Sequence, residues 1–172
     1  MKSQLIGTIQ RPGQRPENVE LVVDKRPNIT RAERAAGIKW VNGDYDPGDV
    51  RRYGDIGASA LGTAITAVGA EGVVTVPAGD YEKVDITASD RTLVIKRGAV
   101  FKVPDNDIVA LDTSGTPALT ISGDDITIEG TLVIDGNKAN QNTSSFTAGA
   151  RDASLLITGD NVQMQDVFIK DA

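Results

Sequence analysis

The chain contains neither histidine nor cysteine, which removes imidazole bases, thiol nucleophiles, disulfides and the usual zinc ligands together. Any chemistry must therefore rest on carboxylates, Lys, Arg or Tyr. Three patterns place such groups where they could act. Asp85, Glu129 and Asp135 fall on outward positions of short alternating segments, with Lys96 and Lys102 nearby. A glycoside hydrolase uses two carboxyls at a defined separation, one protonated and one ionised. Outward charges at alternate strand positions are also the ordinary make-up of a solvated face. Asp44, Asp46 and Asp49 have the density of a calcium loop, but lack the placed glycine and distal bidentate Glu of an EF-hand. A turn-rich linker accounts for them. Asp135-Gly136-Asn137, with Asn140 and Asn142, opens a long loop over 136–153. Its Asn, Thr and Ser side chains could meet sugar hydroxyls, since long loops on a rigid scaffold are often binding surfaces; a disordered loop is the simpler reading. On this footing no catalytic, cofactor-binding or metal-binding residue is assigned, and no cofactor is expected.

The elements that would position these groups follow from composition and pattern. Of the 172 residues 40% are hydrophobic but only 4% aromatic, so the apolar content is mostly branched aliphatics and Ala, which suit stacked strands. The 18 glycines are scattered among short apolar runs, as many tight turns require. A net charge of −6 repels phosphate backbones and anionic membranes, so no nucleic-acid partner is expected. Met1-Lys2-Ser3-Gln4 leads into no apolar core of a signal peptide, and no run reaches membrane-spanning length. The expectation is a soluble chain without an export signal or membrane insertion.

Along the chain, Arg11-Pro12-Gly13-Gln14-Arg15-Pro16 is turn-rich, and Val19–Val23 reads as a strand. Thr30-Arg31-Ala32-Glu33 fits a capping box and predicts a helix of about two turns ending near Gly37. Trp40 is expected to be a packing anchor. The loop Asn42–Asp49 then separates an N-terminal segment, 1–48, from the remainder, 49–172. Within Ser59–Val68, Leu61, Ile65 and Val68 recur at helical spacing, with Gly69 as the stop. This helix should cover something apolar. Beyond Gly72 the pattern turns to short strands at 73–76, 83–86, 92–95, 100–103 and 108–111.

An internal repeat organises the second half. Ala118–Asp125 corresponds to Ser154–Asn161, Ile126–Glu129 to Val162–Gln165, and Leu132–Asp135 to Val167–Lys170 after a one-residue slip. The slip demands a bulge or shorter turn, or the third strand's inward face falls out of phase. Val84–Ile86, Leu93–Ile95 and Val100–Lys102 form a weaker upstream copy. Three short strands per coil, repeated, predict a mainly β fold: a right-handed parallel β-helix, here its first coils. Leu119, Ile121, Ile126, Ile128, Leu132 and Ile134 would form one interior layer, with Leu155, Ile157, Val162, Met164, Val167 and Ile169 stacked over it. At roughly 1.5–3 kcal/mol per buried aliphatic side chain, one layer contributes on the order of 10 kcal/mol before entropy. Asp125 and Asn161, with Asp90 upstream, fall at one tight turn, where Asx residues tolerate left-handed backbone angles.

Asp49-Val50-Arg51-Arg52-Tyr53-Gly54, a short helix, and then Gly72–Val76 with Pro77-Ala78-Gly79-Asp80-Tyr81 resemble the opening of pectate-lyase-like β-helix proteins, a superfamily that includes many phage tailspikes. Ile126–Gly136 also looks like one of its coils. The likeness spans roughly 49–172 and departs at Asp55–Ala60, which is shorter than the Gly-Asp-Gly stretch with paired Asp of many relatives. The resemblance implies that 59–68 caps the solenoid, that 1–48 is a virion-anchoring or neck segment, and that the chain is a tailspike or receptor-binding part of a bacteriophage virion. Expected partners are two further copies in a homotrimer, phage tail or baseplate proteins, and host surface polysaccharide. In such relatives catalytic groups usually sit on middle coils. The alternative is accordingly a polysaccharide depolymerase, lyase or glycoside hydrolase, whose catalytic coils lie beyond residue 172. A last coil with an uncovered apolar cross-section suggests truncation. A secreted plant-wall-degrading enzyme is disfavoured by the missing signal peptide.

Overall fold

A computed structural model describes residues 4–9, 17–22, 28–105, 117–140 and 154–171. Strands β1 (Gln4–Ile9) and β2 (Glu17–Val22) form an antiparallel pair. The sequence pattern expects a strand at 19–23 but gives no sign of β1. The Arg11–Pro16 turn and the strand at 108–111 lie outside the described residues.

Helix α1 (Arg31–Ala35) starts as its capping box dictates. The Thr30 hydroxyl accepts the Glu33 N–H at 3.1 Å, and the Glu33 carboxylate accepts the Thr30 N–H at 2.6 Å. Gly37, at φ +77°, follows the helix end. Trp40 is no anchor: it is 66% exposed, whereas its neighbour Val41 is fully buried. A 3₁₀ turn (Val50–Arg52) leads to α2 (Ala58–Val68), one residue longer than its apolar spacing predicts. Its buried stripe is Ala60, Leu61, Ala64, Ile65 and Ala67, with Val68 only partly covered. That stripe lies on the first strands of the β part.

The remaining strands are β3 (Gly72–Val76), β4 (Gly79–Glu82), β5 (Val84–Ile86), β6 (Arg91–Ile95), β7 (Ala99–Lys102), β8 (Leu119–Ile121), β9 (Ile126–Asp135), β10 (Leu155–Ile157) and β11 (Gln163–Lys170). All pairings among them are parallel. The fold is therefore mainly β, with parallel sheets and few helices. One sheet runs β10-β8-β5, and the other runs β3-β6-β9-β7-β4, with β11 also on β9. Besides β11, the long β9 serves two neighbours: its first half pairs with β6 and its last residues with β7.

Register follows the internal repeat. Leu119 pairs with Leu155, Ile121 with Ile157, Ile128 with Met164, and Ile134 with Ile169. The ladder shifts between Met164 and Asp166, which is the one-residue slip the repeat demands. The extra residue lies in β9 near Gly130, which takes φ +90°. The upstream copy pairs in the same way, Val84 on Leu119, Leu93 on Ile128 and Phe101 on Ile134. Leu119, Ile121, Ile126, Ile128, Leu132 and Ile134 are all essentially inaccessible, so period-2 alternation identifies that interior row correctly. Tyr81 lies over Phe101 with ring centroids 5.4 Å apart. The Tyr81 hydroxyl donates to the Pro77 carbonyl at 3.0 Å, and burial pushes its pKa to about 12.

The turn before these strands is a ladder of its own. Glu71, Asp90, Asp125 and Asn161 all adopt φ between +54° and +59°. Each immediately or almost immediately precedes a strand of the larger sheet. The Asn161 amide donates to the Asp125 carboxylate at 2.6 Å across 36 residues of sequence. Asx side chains thus stabilise the bend both by tolerating left-handed angles and by bonding along the stack. Two residues earlier in this turn, Gly159 sits over Gly123, and a Cβ on Gly123 would be driven into the Ala88 carbonyl. Gly123→Ala is expected to cost about 1–3 kcal/mol, since backbone rather than a flexible side chain must yield. Denaturant unfolding checks it; an unchanged midpoint would contradict this close stacking.

Candidate functional site: a polar corner at the ends of β7, β9 and β11

Three strands of the larger sheet end at one corner, because Lys102 pairs with Asp135 and Asp135 with Lys170. Glu82 pairs with Lys102 on the far side. The register therefore lays out a row of alternating charge: Glu82, Lys102, Asp135, Lys170. The Lys170 ammonium lies 2.8 Å from the Asp135 carboxylate. Burial alone would raise the Asp135 carboxyl, but bonds from Lys170 and the Asn137 N–H, with the charge of Lys102, bring it below the ordinary carboxylate range. The same bond raises Lys170.

Asn137 ties this corner together. It is 5% exposed and takes φ +54°, a backbone angle Asn accepts more readily than most residues. Its amide donates to the Val103 carbonyl at 2.8 Å and to the Asp105 carboxylate at 2.7 Å, while its oxygen accepts from Asn140 at 2.9 Å. The Asn137 bond holds Asp105 below its ordinary pKa. Asn137 thus clamps the chain after β7 to the chain after β9. Asn142 lies outside the described residues. Asn137→Gly keeps the backbone angle accessible but removes the clamp, with an expected cost of about 1–3 kcal/mol. Asn140→Ala, at an exposed residue, should stay within about 0.5 kcal/mol. Chemical denaturation of both separates the two, and equal losses would contradict the clamp.

The other outward carboxylates are not brought together. Asp85 lies on the β10-β8-β5 sheet opposite Thr120, whereas Glu129 lies opposite Val94 in the other sheet. Asp44, Asp46 and Asp49 lie along one turn-rich stretch: the Asn42 side chain accepts the Asp44 N–H, the Asp46 carbonyl accepts the Asp49 N–H, and the Asp49 carboxylate caps the 3₁₀ turn and holds Arg51 at 2.7 Å. The Arg51 bond draws the Asp49 carboxyl below its usual range. Arg51 in turn lies over the Tyr45 ring at 4.4 Å. Among the described residues no group of three or more acidic side chains converges to hold a metal ion. No described helix is long and apolar enough to cross a membrane.

Sequence reading missed one buried ionic cluster. Glu33 is 0% and Arg52 4% exposed. The guanidinium meets both carboxylate oxygens, at 2.6 and 3.2 Å, and donates to the carbonyls of Asn28 and Tyr45 at 2.8 and 2.9 Å. The Tyr53 hydroxyl donates to Glu33 at 3.0 Å and accepts the Gly48 N–H. Burial would raise the Glu33 carboxyl, but Arg52, Thr30 and Tyr53 outweigh it and hold it at about 2. Every donor and acceptor here is turned inward, so the cluster fastens α1 to the 3₁₀ turn rather than facing a ligand. Its residues are 19 apart in sequence, and no local spacing rule links them.

No family model, curated protein or solved structure matches the chain.

Proposed function

We propose that this chain is the opening part of a right-handed parallel β-helix in a phage tailspike-like receptor-binding protein, which attaches to host surface polysaccharide and performs no catalysis within these residues. The observation that carries the reading is the in-register parallel stacking of segments 36 residues apart, with Asx turns in line and aliphatics inside. Solenoids of this type present long rigid outer faces, and loops standing on such a face suit an extended polymer. The polar corner supplies hydrogen-bonding Asn, Asp and Lys groups of the sort that sugar hydroxyls meet, at the ends of β7, β9 and β11. On the same reading residues 1–48 anchor to tail or baseplate proteins and the working unit is a homotrimer in the virion.

Incubation with purified capsular and O-antigen polysaccharides tests this reading. The expected result is retention of at least one glycan without new reducing ends. Failure to retain any surface polysaccharide across a broad panel would overturn the attachment role, and release of reducing ends would overturn its non-catalytic character.

A further inference from the structure

Asn42-Gly43 is the only Asn-Gly pair in the chain, and Asp135-Gly136 the only Asp-Gly pair. A glycine after an Asx residue puts no Cβ in the way when its amide nitrogen turns back on the side-chain carbon. The structure treats the two pairs differently. The Gly136 N–H donates to the Lys170 carbonyl at 2.9 Å, and the Asp135 carboxylate, ionised and bound by Lys170, is a poor electrophile. That pair is locked. Asn42 instead offers a neutral amide, and the Gly43 N–H makes no bond among the described residues. Gly43 is exposed, so water reaches it.

The turn around Asn42 holds donors against both oxygens that gain charge when such a nitrogen attacks. The side-chain oxygen accepts the Asp44 N–H at 3.1 Å, which folds the side chain back along the bond to Gly43 and polarises its carbonyl carbon. The main-chain oxygen faces the Tyr45 N–H at 3.4 Å and Arg52 Nη1 at 3.5 Å. These are long contacts to a neutral carbonyl, and they tighten as the oxygen becomes negative. Glu33 holds the Arg52 fork in place at 2.6 and 3.2 Å, and the Asn42 N–H donates to the Arg52 carbonyl at 2.8 Å. A fixed cation and a fixed N–H at a developing oxyanion are what speed acyl chemistry in rigid sites.

We propose that Asn42 is a site of self-modification, at which the folded chain converts its own amide to isoaspartate with Arg52 stabilising the charged steps. Water or hydroxide takes the Gly43 amide proton, and the charge left behind is shared with the main-chain oxygen that Arg52 faces. The Gly43 nitrogen then bonds to Asn42 Cγ, the Cγ–Nδ2 bond breaks, and ammonia leaves with a proton from water. A five-membered imide remains. Water adds to the imide carbon whose oxygen Arg52 faces, and the bond from that carbon to the Gly43 nitrogen breaks. The main chain thereafter runs through Cγ, and the freed carboxylate lies beside Arg52. The product has one more negative charge and one more methylene in the main chain, between α1 and the 3₁₀ turn.

Incubation of the whole chain in heavy-oxygen water at mildly alkaline pH tests the site, with peptide mass mapping and chromatographic separation of aspartate from isoaspartate. A fold that merely restrained the turn would slow the reaction, so the same chain in urea is the decisive comparison. Asn42 should convert at least about tenfold faster folded than unfolded, because unfolding takes the donors away from its main-chain oxygen. The isoaspartate share should also be higher in the folded protein. Gly43→Val should slow the folded reaction at least about tenfold, since a stiff branched side chain crowds the attacking nitrogen. Arg52→Lys, shown to be folded by circular dichroism, should bring the folded rate down toward the unfolded one. If that variant does not fold, the wild-type comparison alone decides. Conversion of Asn42 no faster folded than in urea would overturn the proposal, and so would an unchanged rate in folded Arg52→Lys.

Discussion

Arg52→Ala is expected to destabilise the fold by about 3–5 kcal/mol, because it strips the partner from a carboxylate that has no access to water. The substitution removes both contacts to Glu33 and the bonds to the carbonyls of Asn28 and Tyr45. Arg52→Lys keeps the charge but not the planar fork, and should lose an intermediate amount. Replacing both partners with apolar residues, as in E33L/R52M, should recover much of the loss, since neither charge is then buried alone. The pH dependence separates this account from simple loss of packing. In the wild type the Glu33 pKa is depressed from 4.5 to about 2. Its contribution is therefore fully present above the unfolded value and is lost as pH falls from 4.5 toward 2. In Arg52→Ala the same carboxyl is buried without its cation, so protonation relieves the strain on the folded state. The deficit of the variant should be largest near neutrality and narrow as pH falls through 4.5. Urea unfolding at neutral and acidic pH reads this directly, and a deficit independent of pH would contradict it.

Phe101→Ala should have a comparable effect by a different route. Phe101 is fully buried, stacked on Tyr81 on one side and in register with Ile134 on the other. Truncation leaves a void in the middle of a column whose neighbours are fixed by the strand ladder and cannot collapse inward. Loss of an interior Phe costs about 3–5 kcal/mol, a large share of the roughly 5–15 kcal/mol by which domains are stable. Val73→Ala is the matched outward control. Val73 is 51% exposed, and its truncation should stay within about 0.5 kcal/mol. Denaturant midpoints of the two variants should therefore differ widely. Similar losses at both positions would contradict the assignment of Phe101 to the inward face and Val73 to the outward one.

Much of this architecture was legible because its rules are local and repeat. Leu119, Ile121, Ile126 and Ile128 alternate with polar residues, and their copy 36 residues later places the partner strand without reference to anything distant. The phase error between Leu132–Asp135 and Val167–Lys170 announced the bulge that the ladder shows between Met164 and Asp166. Asp125 and Asn161 announced left-handed turns because few other side chains accept them. What escaped was tertiary. Trp40 is large and apolar, yet its exposure depends on which way an irregular segment faces. Strand β4 was hidden because Gly79 and Asp80 are poor strand formers, and only pairing with β7 makes the segment extended. Without β4, Glu82 had no place in the charged row. The Glu33 role at the helix start was readable from Thr30, but its union with Arg52 joins two turns that the sequence keeps apart. At the polar corner the carboxylate Asp135 was visible as an outward charge. That Asn137 is nearly buried and clamps Val103 and Asp105 could not be read from a loop composition.

Spin-label pairs on β9 and β11 probe the parallel stacking on which all of this depends, and the absence of cysteine makes labelling clean. Outward cysteines are introduced as T127C/Q163C and V133C/F168C, which are in register, and as the crosswise pairs T127C/F168C and V133C/Q163C. Neighbouring strands lie about 4.8 Å apart and each residue advances about 3.3 Å. The account predicts strong dipolar broadening in both register pairs and weak broadening in both crosswise pairs. Strong broadening in the crosswise pairs instead would mean antiparallel strands, and would contradict it.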